Sequence, residues 1–317
     1  MLNKEQILIL GQIEGCGAST LQKFIEYCST KYLSGIRNTE DLAEFVQHCI
    51  DDKVSPHSRI RHISIDDIRN ATRKAEQIVS ESEKFGISFV TIVDEEYPKC
   101  LLETIDENGK KSIPTLLYYK GDLSVTKKNG IAIIGTREPT NEGIVAGQYL
   151  GKKFAENGFN VVSGLAIGCD TAGHVGALSV EGGSTTAFLA HGLDVVYPAE
   201  NENLAKQIVE RGGLLMSEYP IGTKVNRYAL VARDRLQAAL SRATIVIQTG
   251  ENGGTHHAAN TTLKSGKPLF CVKYNSPTLM SNDKVRGNEL LVKKGGRYIT
   301  STDALSKVSC SINQIDR

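Results

Sequence analysis

The apolar positions of this chain follow two different periods. From residue 2 to about 85 they recur at helical spacing, as Ile7, Leu8 and Leu10, then Leu21, Phe24 and Ile25, then Leu42, Phe45 and Val46, with charged residues between. A turn, Ile13-Glu14-Gly15-Cys16-Gly17, separates the first two groups, with Ser19 as a candidate N-cap; a Gly-x-Gly corner between short helices is the pattern of a helix-hairpin-helix. Residues 51–64, around Pro56, read as a loop, and Ile65 to Phe85 as one amphipathic helix stopped by Gly86.

Beyond residue 86 short apolar runs alternate with helical stretches. Strands are expected at Ile87–Val93, Leu116–Tyr119, Ile131–Ile134, Phe159–Val162, Thr185–Leu189, Leu214–Met216, Ile245–Thr249 and Leu269–Val272, and a helix at Ile144–Asn157 ended by Gly158. An unbroken run such as Ile131-Ala132-Ile133-Ile134 suits a parallel strand covered on both faces. The alternation therefore predicts a doubly wound α/β fold with a mostly parallel sheet, preceded by a small all-α domain. The expected division is a helical domain over 1–85, an α/β domain over 86–308, and a tail over 309–317.

Composition narrows the function by exclusion. With 37 basic and 36 acidic side chains the formal charge is +1, so any site for a polyanion must be a local patch. The 7 cysteines are scattered without a CxxC pair, which predicts a reducing, cytoplasmic setting and no structural zinc. No apolar run approaches the ~18 residues of a membrane span, so no membrane partner is expected.

Four glycine-containing turns follow strands: Gly135-Thr136-Arg137, Ser163 to Asp170, His191 to Asp194, and Glu251 to Thr255. In a parallel sheet all four open on the same edge and can line one pocket, with Arg137, Arg233 and Arg235 supplying charge for phosphates. GxGxxG and the Walker GxxxxGK[ST] are both missing, which argues against a conventional dinucleotide or P-loop site, and no cofactor is expected. Catalytic candidates are thin. Asp170 and His174 share a helical face and read as a structural hydrogen-bonded pair. The adjacent His256 and His257 diverge by ~100° and cannot converge on a metal. Glu218 is the one carboxylate kept as an acid or base.

The segments GTREPTNEG, VVSGLAIGCDTAGHVGAL, HGLDVVYPAENENLAKQIVERGGLLMSEYPIG, ARDRLQAALSRATIVIQTG and GGTHHAANTTLKSGKPLFCV, in this order, resemble the DNA processing protein A (DprA/Smf) family. The resemblance runs from about Phe85 to Val308. It implies an extended Rossmann-like domain behind a helix-hairpin-helix or SAM-like domain, with single-stranded DNA and a RecA-type recombinase as partners, a homodimer, and a non-enzymatic role in recombination and natural transformation. By position, the phosphate-binding residues implied are Gly135, Thr136 and Arg137; Ser163, Gly164, Gly168 and Asp170; Asn201, after Tyr197-Pro198; Arg233 and Arg235; and Gly253, Gly254 and Thr255. Ala199 and Glu200 stand where a basic residue often follows Tyr-Pro, Asp234 replaces the amide of Arg-Asn-Arg, and no winged-helix domain is expected after Val308. The alternative is a nucleotide-binding or nucleotide-cleaving enzyme or sensor, because the broad fold also resembles the lysine-decarboxylase-like LOG proteins. Of their PGGxGTxxE signature the chain keeps Gly253-Gly254-Thr255 and lacks the proline and the glutamate. Tyr197, Tyr219 and Tyr228 are the candidate platforms for base stacking.

Overall fold

The computed structural model describes residues 2–31 and 35–315. The chain divides into two compact units, one of residues 1–97 and 112–118 and the other of residues 98–111 and 119–317. In the first, four helices, α1 (Lys4–Gly11), α2 (Ala18–Thr30), α3 (Thr39–Asp51) and α4 (Ile65–Glu83), precede a short strand β1 (Ser88–Thr91). Phe24 and Phe45 meet edge to face at a centroid distance of 6.3 Å among Ile7, Leu10, Leu42, Val46 and Ile68. Helix starts follow local side-chain chemistry: Asn3 caps α1 with Gln6 completing a capping box, and Ser64 does the same for α4 with Asp67. Ser19, expected as an N-cap, lies inside α2, which starts instead from Gly17. A strand β2 (Leu116–Gly121) begins in this unit and ends in the second.

The second unit carries seven strands: β3 (Gly130–Ile134), β4 (Asn160–Ser163), β5 (Ser184–Leu189), β6 (Leu214–Ser217), β7 (Ser241–Val246), β8 (Leu269–Val272) and β9 (Arg297–Ile299). Their order is β6-β5-β4-β3-β7-β8-β9 and each neighbouring pair is parallel. Period-two alternation along β3 decides which helices it meets. Ile131 and Ile133 join a core with Leu150 and Phe154 of α5 (Asn141–Glu156), Cys169 and Ala177 of α6 (Cys169–Leu178), and Val308 and Ile312 of the final helix. Ala132 and Ile134 point the other way, toward Ala258 and Leu291. In chain order the remaining helices are α7 (Glu202–Glu210), α8 (Arg227–Leu240), α9 (Thr255–Lys264), α10 (Pro277–Met280), α11 (Arg286–Lys293) and α12 (Ala304–Ile315). Both faces of the sheet are thus covered, the doubly wound arrangement that the alternation predicts.

Three details depart from the sequence pattern. Strand β7 starts at Ser241, directly after α8, and stops at Val246; Gln248 has left the ladder, and its carbonyl accepts the Thr136 amide at 2.7 Å. Strand β9 has three residues behind Gly295-Gly296, too few to show alternation. Residues 309–315, expected as tail, continue α12, because Val308 and Ile312 are buried one turn apart.

Helices α5 and α6 approach through glycines: a Cβ on Gly151 would stand 2.2 Å from the Gly173 carbonyl oxygen. A rigid backbone cannot move aside for it. Gly151→Ala is expected to destabilise the protein by about 2–3 kcal/mol, read as a lower urea midpoint at unchanged slope.

Candidate nucleic-acid interface

The chain runs from β3 outward through β4 and β5 to β6, then returns to lay β7 on the other side of β3. At such a reversal the loops after neighbouring strands part in opposite directions and leave a crevice beyond the strands' carboxyl ends. A cavity of about 500 Å³ occupies that place. Its walls come from the turn after β3 (Gly135 to Glu138), the turn after β4 (Ala166, Asp170), one face of α8, and the start of α9 (Gly253 to Thr255, His257).

The first two turns are pressed together backbone to backbone. Gly168 has φ +85°, and a Cβ there would sit 2.5 Å from the Thr136 oxygen and 2.6 Å from that of Arg137. The Cys169 amide donates to the Thr136 carbonyl at 3.1 Å. Gln248 fastens the same turn from the end of β7: its Oε1 accepts the Thr140 amide and its Nε2 donates to Thr140 Oγ1, both at 2.9 Å. The glycines after β3 and β4 therefore act first by permitting this contact. Much of the expected supply of free turn amides is also spent internally, since Asp170 accepts the amides of Gly164 (3.2 Å) and Ala166 (3.3 Å). Open donors lie elsewhere: α9 starts from Gly254 without a side-chain cap, and the Gly254 and Thr255 amides meet no acceptor among the described residues.

Of the arginines, Arg137 stands exposed on the rim. Arg233 also lines the cavity but is buried. Its Nη1 donates to the carbonyls of Gly164, at 2.5 Å, and Phe188, and its Nε to Asp234 Oδ1 at 3.2 Å. A Cβ on Gly164 would fall 2.1 Å from that Nη1, so the residue is glycine to admit the guanidinium. Arg235 points away from the cavity and is held by both oxygens of Glu218, at 2.6 and 2.7 Å. That pairing also occupies the carboxylate considered as an acid or base.

Ser163 and Asn201 are buried and do not line the cavity. Ser163 Oγ donates to the Ile133 carbonyl at 2.6 Å, and Asn201 Nδ2 donates to Leu165 O at 2.8 Å and Thr171 Oγ1 at 2.9 Å. The Asp170–His174 pair is absent: His174 Nδ1 lies 2.6 Å from Thr185 Oγ1, while Asp170 turns to the amides above. Burial holds His174 neutral, with its pKa lowered to about 3. His256 and His257 separate as their spacing requires, His256 to the Gly250 carbonyl and His257 to Glu107. No cluster of three metal-ligating side chains occurs among the described residues.

Sequence reasoning missed Arg227. It lines the cavity with Leu230, Val231 and Asp234, and these four positions are spaced by three, one and three, a single face of α8. The helical spacing of these four positions is the sequence signal that points to it. Tyr228, next to Arg227, is 88% exposed.

Asp234 is the unusual member of the wall. Its side chain is 18% exposed. Burial raises its pKa to about 6, against the opposing pull of Arg233 and with a further push from Asp170. Asp170 is likewise pushed upward by burial, while Arg233 draws it down. Both carboxylates thus share one buried guanidinium.

A parallel sheet covered on both faces, with an open cavity at its topological switch point, defines a Rossmann-like α/β protein. Residues 88–309 match the family DNA recombination-mediator protein A, and the chain belongs to that family. It is 34% identical over 233 residues to protein Smf of Synechocystis sp., covering 72% of this chain and 56% of that one. It is 32% identical to DNA processing protein DprA of Streptococcus pneumoniae over 241 residues, 76% of this chain and 77% of the relative. The chain thus spans little more than half the length of the Smf protein. The crystal structure of the pneumococcal DprA shares the fold at a TM-score of 0.74 and 24% identity, covering 96% of this chain and 98% of that one. A Helicobacter pylori DNA processing protein A, described for its unique single-stranded DNA binding mode, matches at a TM-score of 0.57 and 27% identity, over 72% of this chain and 95% of that one. No helix among the described residues is long and apolar enough to cross a membrane.

The raised pKa of Asp234 gives a signed prediction. Between the ordinary carboxylate value and about 6, the folded chain holds a proton that the unfolded chain has lost, so this group's contribution to stability falls as pH rises through that window. Asp234→Asn can keep the hydrogen bond from Arg233 without the buried charge. At pH 8 the variant is expected to be about 3 kcal/mol more stable than wild type, with the difference disappearing as pH falls from 6 to 4. Urea titrations across that range read it, and a constant difference at every pH would refute the assignment.

Proposed function

We infer that the chain is a DprA-type mediator that binds single-stranded DNA at the switch-point cavity, shields the strand and delivers it to a RecA-type recombinase. The observation that carries this reading is the convergence of Arg137 and Arg227 with the unpaired Gly254 and Thr255 amides on one open cavity. Two guanidiniums and a helix start suit consecutive phosphodiesters. Membership of the mediator family and the single-stranded DNA binding described for the Helicobacter protein support the same ligand. Tyr228 supplies an exposed ring for a base, a contact that tolerates any sequence. Arg233, Asp170 and Gly168 serve the site by shaping it, whereas Gly135, Thr136, Gly253, Gly254 and Thr255 form its contact wall. Ser163, Gly164, Asn201 and Arg235 hold the surrounding frame.

In this reading the helical region 1–85 and the nucleic-acid-binding region 86–308 are distinct domains. The protein works in the cytoplasm as a homodimer, where two linked sites raise affinity for a long strand. Sedimentation and recombinase-filament assays test those two partners directly.

Binding of a fluorescent oligothymidine, compared with its duplex form, tests the ligand. Arg137→Ala and Arg227→Ala are each expected to weaken single-strand binding about tenfold at low salt. Each should also reduce the slope of log affinity against log salt by about 0.7. Preference for duplex, or unchanged affinity in both variants, would overturn the reading.

A further inference from the structure

The first unit carries a second anion-binding feature, independent of the sheet. A cleft of about 480 Å³ lies between the α1–α2 corner, the segment 59–63 and the first turns of α4. Arg59, Arg61, His62 and Lys74 line it, and all four are exposed. The two carboxylates there are Glu14 and Asp67, and Asp67 Oδ2 is already engaged by the Ser64 amide, at 2.9 Å, and hydroxyl, at 2.6 Å.

The corner contributes backbone as well as shape. Gly15 takes φ +86°, and a Cβ there would lie 2.9 Å from Cβ of Arg59, so the turn is pressed against the root of that arginine. On either side, the amides of Ile13 and Cys16 are satisfied by Leu10 and Ile13 carbonyls. Those of Glu14 and Gly15 meet no acceptor among the described residues, and both residues line the cleft. Adjacent unpaired amides in a turn with one left-handed residue form a concavity suited to an anion, and the cations beside it supply the charge. A bland helical corner would not need the basic segment 59–63 folded against its amides.

We propose that this cleft is a second contact for the phosphodiester backbone of single-stranded DNA, with the Glu14 and Gly15 amides on one phosphate and Arg59, Arg61 and Lys74 on the backbone. The occupant is a strand and not an enclosed small phosphate, because the cations stand exposed along an open cleft. The proposal rests on the single-strand reading above, and the test separates the two.

The experiment uses the full chain and compares wild type with Arg59→Ala/Arg61→Ala/Lys74→Ala. A charge-matched control, Arg37→Ala/Arg69→Ala/Lys84→Ala, removes three cations of the same unit that do not line the cleft. Fluorescent oligothymidine is titrated between 50 and 200 mM salt, with circular dichroism melts to verify folding. Three lost phosphate contacts lower the salt slope by about 2, so wild type should lose roughly 20-fold more affinity than the cleft variant over that range. The control should keep the wild-type slope. Equal slopes in wild type and cleft variant, or equal losses in cleft variant and control, overturn the second contact and leave the first site standing. Failure of wild type to bind the oligonucleotide would instead remove the single-strand reading itself. A loss of affinity that inorganic phosphate at millimolar concentration reproduces by competition, with no dependence on strand length, would mark the cleft as a small-anion site and also overturn the proposal.

Discussion

The buried guanidinium of Arg233 is the interaction on which the second unit's ligand edge depends. It leaves α8, crosses to the carbonyls ending β4 and β5, and touches Asp234 on the way, so one side chain ties the helix before β7 to two strands on the other side of the switch point. A buried charge of this kind is costly unless its hydrogen-bonding capacity is filled. Here two carbonyls and a carboxylate take its Nη1 and Nε donors, and Gly164 is reduced to a hydrogen so that the guanidinium can approach. Removing either side of the arrangement would leave polar groups stranded in the interior. The crevice therefore keeps its width because closing it would break these bonds.

This arrangement also explains how labour is divided among the arginines. Arg233 commits its Nη1 and Nε to the strand ends and Asp234, and Arg235 is locked in two bonds to Glu218. In the proposed reading, charge for a ligand comes from the exposed Arg137 and Arg227 at the rim, for which no hydrogen-bond partner occurs among the described residues. Arg233 still acts on the ligand at one remove, since its charge is balanced by Asp234 and Asp170 within the same wall. The carboxylates lower the positive potential that a phosphate would meet, and burial raises the pKa of each against the pull of Arg233.

Much of the fold was legible because parallel strands covered on both faces must be apolar throughout. The runs at 131–134, 185–189 and 269–272 marked β3, β5 and β8 nearly to the residue. Strand β7 begins at a polar Ser241-Arg242, ahead of the apolar run expected at 245–249, and β9, where the sequence pattern predicts no strand, is too short for any period to emerge. Within the site, turn glycines located the right edge of the sheet, since chain order and parallel pairing suffice to place them. Sequence could not divide those residues into lining and framing groups. Whether Arg235 meets a phosphate or Glu218 depends on the direction in which one turn of α8 faces, and a motif of three consecutive letters holds no such information. Arg227 shows the converse, for it belongs to no recognisable motif and yet shares its helix face with Asp234.

In the proposed readings, the two clefts solve the same physical problem with different means. At the switch point, unpaired amides come from the start of a ten-residue helix, where the dipole adds to them. At the α1–α2 corner they are the neighbouring Glu14 and Gly15 amides of a turn with one left-handed glycine. The first is rigid because a buried ion pair and Gln248 fix its walls, and the second because Gly15 is wedged against Arg59. In both, the backbone supplies direction and exposed arginines supply strength. A strand bound through such contacts would be held mainly by its phosphates, with the pairing edges of its bases left open even where a ring stacks on Tyr228.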